Sequence, residues 1–174
     1  MTAKNFTAKR LAIVGLLTAA ALIAFIVENL FPPIFPVVPF VRLGLSNLFV
    51  LLALTLYGRR AGALAMLVKI LLGSLFSGRI ASLPVGLAGG VTSFFVMALL
   101  CGKLFPSFSL IGISAAGSAV GNFFRTAMTA AMTGTGGLML LSPYTVLFGV
   151  LTGAVLGAAA QLILRVTPEK FWIG

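Results

Sequence analysis

The stretch SLIGISAAGSAVGNFFRTAMTAAM, residues 109–132, decides how the chain is read. It runs for 24 residues without a proline or an acidic side chain. At about 1.5 Å per residue that is long enough to cross a hydrocarbon layer about 30 Å thick. A membrane-spanning strand would alternate polar and apolar residues. Here the polar residues recur at helical steps instead. Ser114, Ser118, Asn122, Arg125, Thr129 and Thr133 follow one another at intervals of three or four and share one side of a helix. The spacing predicts an apolar helix with a polar seam.

Working outward, five further apolar runs appear at 11–27, 43–57, 61–76, 80–101 and 144–166. Phe31-Pro32-Pro33, Gly58-Arg59-Arg60, Ser77-Gly78-Arg79, Gly102-Lys103 and the segment 134–143 mark the breaks between runs. The whole chain is 60% hydrophobic and only 8% charged, against about 45–50% and 25% for a soluble domain. The expectation is an all-α polytopic membrane protein: one transmembrane domain over residues 1–174, a six-helix bundle with no soluble domain. Runs 43–57 and 61–76 are short for full spans. They are tilted, partly re-entrant, or sunk inside the bundle. The basic residues before the first run resemble the start of a signal peptide. That run is too long and lacks a clear small-residue cleavage site, so it reads as a retained span.

The formal charge of +10 would suggest nucleic acid in a soluble protein. No nucleic-acid motif accompanies it, and in a membrane protein the positive-inside bias explains it. Lys4, Lys9, Arg10, Arg59, Arg60, Lys103, Arg165 and Lys170 fall on one side of a six-span topology, with Arg42 and Arg79 on the other. Both termini are therefore expected in the cytoplasm, in a multi-pass protein of the cell membrane. The chain has no His, no Asp and a single Cys. Zinc sites, carboxylate dyads, Ser-His-Asp triads and disulfide frameworks all lack parts. The reading is a non-enzyme with no catalytic residues, no metal site and no cofactor.

Lys69 and Arg125 lie inside apolar runs, where an ionisable residue costs about 2.5–3.5 kcal/mol to insert and usually faces a partner or a wet cavity. In the predicted topology they join Glu28, Arg42 and Arg79 in the outer half. With Ser74, Ser118 and Asn122 nearby, these residues form a candidate outward-opening site for a small anionic molecule. A phosphate or a carboxylate would offset the positive charge. Three simpler readings stand beside this one. Arg42 and Arg79 snorkel to the interface, Glu28 neutralises a buried cation, and the seam is polar glue between helices. Small residues form two more faces. Gly149, Gly153 and Gly157 on the last run, and Ala12, Gly15 and Ala19 on the first, suit close packing of helices within the chain, with a docking surface for another membrane subunit as the alternative.

The chain resembles the bacterial membrane proteins known as the Gx transporter family, or heptaprenyl diphosphate synthase component I. The resemblance covers about residues 20–164. It rests on Glu28 with Pro32-Pro33, on Arg42-Leu43-Gly44-Leu45-Ser46-Asn47 and on Leu72-Gly73-Ser74-Leu75-Phe76-Ser77-Gly78. It continues through Leu87-Ala88-Gly89-Gly90, Ile111-Gly112-Ile113-Ser114 and Gly149-Val150-Leu151-Thr152-Gly153. The chain departs from the family at Gly121, where many relatives have a His, and has Lys69 as the basic residue of the third run. That family in turn is similar to the S components of energy-coupling-factor (ECF) transporters. The similarity implies six helices, cytoplasmic termini, a ligand site near the outer face and a first helix that docks on a partner. The implied partners are an ECF transmembrane T component and ATPase subunits, besides membrane lipid, and no nucleic acid. The implied function is substrate capture in uptake of a vitamin- or isoprenoid-precursor-like anion. The alternative is a non-catalytic accessory of isoprenoid-quinone synthesis or of flavin-linked electron transfer. A catalytic prenyl diphosphate synthase would need Asp-rich magnesium motifs, which this sequence lacks.

Overall fold

A computed structural model describes residues 8–30, 44–104 and 109–166. These residues form six α-helices: α1 (Ala8–Leu30), α2 (Leu45–Tyr57), α3 (Arg59–Phe76), α4 (Leu83–Leu104), α5 (Leu110–Thr133) and α6 (Ser142–Val166). Short 3₁₀ turns at Ile80–Ser82 and Gly136–Leu141 lead into α4 and α6. No strand occurs among the described residues. Three stretches are long and apolar enough to cross a membrane: Arg10–Leu30, Ile80–Gly102 and Gly136–Val166. The other three helices depart from that pattern for visible reasons. The α2 helix is short, α3 carries Arg59, Arg60 and Lys69, and α5 carries the polar seam.

At 13 residues α2 extends only about 20 Å, shorter than the hydrocarbon layer. Its sequence LSNLFVLLALTLY is apolar on every side beyond its first turn, the mark of an interior helix. Val50, Leu51, Leu52, Ala53, Leu54 and Leu56 are all buried. Of the three readings open to this run, the structure has it sunk in the bundle, against α1, α3, α4 and α6. A single residue, Gly58, joins α2 to α3. Its φ of 84° lies where a side chain would be strained, and its N–H donates to the Leu54 carbonyl.

The bundle falls into two trios. Helices α1, α2 and α3 pack on one another, and α5 packs on both α4 and α6. The second trio is held by glycine. A methyl group on Gly149 would come 2.8 Å from the Ser118 carbonyl oxygen, and one on Gly153 would come 2.7 Å from that of Ser114. Gly157 meets Ile111 Cα in the same way at 2.6 Å. The glycine repeat therefore lets the α5 and α6 backbones touch, the close approach favoured where apolar solvent gives helices no hydrophobic drive to associate. By contrast, Ala12, Gly15 and Ala19 are exposed, and nothing lies within 4 Å of a methyl group placed on Gly15.

Candidate functional site

Between the trios lies a polar cavity. The end of α1 supplies Phe25 and Glu28, and the first turn of α2 supplies Ser46 and Asn47 beside Gly44. Lys69 and Ile70 come from α3, and Gly86, Gly89, Gly90 and Ser93 from α4. Ser118, Gly121, Asn122 and Arg125 come from α5. On α4 and α5 the lining residues recur three or four apart, so each helix gives one face. About 20 Å³ of the cavity is open to the centres of water molecules, room for about one or two waters.

Lys69 is 2% exposed. Its ammonium donates to Ser46 Oγ at 3.1 Å and to Asn47 Oδ1 at 2.5 Å, which ties α3 to the first turn of α2. Glu28 holds the same turn from α1, its carboxylate accepting from the Leu45 N–H. A carboxylate suits that position, because the first N–H groups of a helix have no partner within it. On the far wall Asn122 Nδ2 donates to the Thr145 carbonyl of α6 at 3.3 Å. Thr126 Oγ1 and Thr145 Oγ1 pair at 3.1 Å behind it. Glycine brings α4 close: a methyl on Gly89 would sit 2.8 Å from the Gly121 carbonyl oxygen and 3.0 Å from Arg125 Nε. Ser93, 2% exposed, has a buried hydroxyl that finds no hydrogen-bond partner among the described residues.

The structure thus gathers Glu28, Lys69, Ser118, Asn122 and Arg125 around one space. Ser74 is buried on α3 but does not line it. Arg79 is exposed in the turn after α3, where its N–H donates to the Ser74 carbonyl, and it too lies off the cavity. Arg42, with Pro32 and Pro33, lies outside the described residues. The seam of α5 divides into three parts. Ser114 packs against Gly153 and Gly157; Ser118, Asn122 and Arg125 reach the cavity; Thr129 and Thr133 bond back to their own helix. Both readings of the seam, polar glue and cavity wall, hold over different turns.

Ser46, Asn47, Ser93 and the glycine wall were not foreseen. Their signals were a polar pair opening an otherwise apolar run, and the spacing Gly86, Gly89, Gly90, Ser93. Helices long and apolar enough to span a lipid layer, enclosing a cavity with buried charge, define a helical membrane protein. The chain belongs to the heptaprenyl diphosphate synthase component I family, whose profile matches residues 17–163. No curated protein matches the sequence.

Proposed function

We propose that this protein is a multi-pass protein of the cell membrane that binds a small anionic molecule as the substrate-capture subunit of an ECF-type uptake transporter. The observation that carries the reading is the placement of Lys69 and Arg125, from different helices, on one cavity with Glu28. Two cations and one carboxylate favour an anion, and a polar space inside apolar helices is where an intramembrane ligand site is expected. The cavity now has room for about one or two waters, so a larger solute requires the trios to part. In this reading all six helices lie within the membrane and the basic residues before α1 and after α6 face the cytoplasm. The exposed Ala12, Gly15 and Ala19 face suits a second membrane subunit, with ATPase subunits supplying the energy.

The family name favours a second reading, a non-catalytic component of an isoprenoid-forming assembly. It too requires no catalytic residue here, because Glu28 and Glu169 are the only carboxylate side chains. Mass spectrometry of small molecules retained by the purified protein tests the pair. A water-soluble anion present in the wild type and lost from Lys69→Met and Arg125→Met supports capture. Prenyl lipid retained equally by all three proteins supports the accessory role and ends the first reading.

A further inference from the structure

The size and lining of the cavity narrow the kind of anion. We infer that the group bound there is a single carboxylate, hydrogen-bonded by the Ser93 hydroxyl; the inference rests on the anion-binding reading above. Ser93 carries the argument. Its hydroxyl is buried at a cavity wall with no hydrogen-bond partner among the described residues, although burying a hydroxyl without one costs about 1–3 kcal/mol. Serine is not needed there for packing alone. Its Cβ already sits 2.8 Å from where a methyl on Gly121 would be, so alanine would fill the same space. The hydroxyl is the part left to account for, and a ligand oxygen accounts for it.

Size selects among oxyanions. Space for about one or two waters matches the two oxygens of a carboxylate, and is small for a tetrahedral group with four. The α4–α5 wall is close-packed: a methyl on Gly89 or Gly121 would strike opposing backbone at 2.8 Å, so neither position accepts a larger side chain. Gly86 is the exception, because a methyl there meets only Ile70 Cγ2, at 3.4 Å.

The test uses formate and acetate as singly charged probes and sulfate as the tetrahedral dianion. Thermal unfolding of the full-length protein in detergent is followed at constant ionic strength, set by a sulfonate too large for the cavity. Formate should raise the unfolding temperature in a saturable way, with sulfate giving no such rise. Ser93→Ala should keep the fold and weaken formate about tenfold or more, the loss expected for one hydrogen bond to a charged group. Gly86→Ala, which narrows the cavity without a backbone clash, should abolish the acetate effect. Stabilisation by sulfate above that by formate overturns the carboxylate and leaves an anion site in place. Equal formate affinity in Ser93→Ala overturns the role of Ser93. No difference between any probe and the sulfonate overturns both this inference and the anion-binding reading.

Discussion

The carboxylate of Glu28, at the end of α1, caps a helix to which it does not belong, accepting a hydrogen bond from the Leu45 N–H that opens α2. Between them the chain passes through 31–43, outside the described residues. The contact therefore fixes the end of one helix to the start of the next. Glu28→Gln keeps an acceptor and removes the charge; Glu28→Leu removes both. Loss of a helix-capping acceptor costs about 0.5–2 kcal/mol. The leucine variant should lose stability in that range and the glutamine variant less, by thermal unfolding. Equal stability of all three proteins would mean that the cap contributes nothing.

Lys69→Met and Arg125→Met should each lower anion binding by tenfold or more while changing stability by at most about 2 kcal/mol. Removing a buried cation frees its own desolvation cost, which offsets the hydrogen bonds lost. Added salt should weaken wild-type binding through screening. Binding and unfolding measured on the same preparations check this. Large stability losses without selective loss of binding would mean that the cations only seat the helices.

Two glycines should answer differently to the same substitution. Gly153→Ala places a methyl 2.7 Å from the Ser114 carbonyl oxygen and should destabilise by about 1–3 kcal/mol, the cost of overpacking. Gly15→Ala meets nothing and should be neutral or stabilising by up to about 1 kcal/mol, through helix propensity alone. Unfolding in detergent compares the two. If Gly15→Leu also leaves folding intact yet reduces recovery of a co-purifying membrane subunit, the open face of α1 is a docking surface. Unchanged recovery would count against it.

The proposed six-span topology predicts opposite labelling of two positions. In a Cys101→Ser background, Thr135→Cys should react with an impermeant reagent from outside intact cells, and Lys170→Cys only after permeabilisation. Reaction of both from one side would remove the topology.

The helices were legible because their breakers are strong. The run expected at 43–57 is observed at Leu45–Tyr57, and that at 61–76 at Arg59–Phe76. The run at 80–101 hid a 3₁₀ turn at Ile80–Ser82, because apolar composition does not distinguish it from the helix that follows. Lys69, Arg125 and Glu28 stood out because charge within apolar sequence is costly. Ser93 and Ser46 did not, because small hydroxyl residues in such helices commonly bond their own backbone. Thr18, Thr55, Thr92 and Thr152 do so here. The role of Gly89 and Gly121 depends on what lies across from them, which no local pattern records. Only its depth in the topology places Arg79 with the site, and depth does not fix the direction in which a turn faces.

A wall built of glycine has an evolutionary consequence. Side chains can be exchanged one at a time, but a surface made of peptide groups in mutual contact has no small step open to it. Gly89 and Gly121 block each other's substitution. Descendants of this chain that came to prefer a different ligand would have to change elsewhere, at Gly86 or in the turn that carries Ser46 and Asn47. Diversity among relatives should therefore concentrate on the α2 side of the cavity, opposite a wall that drift leaves alone.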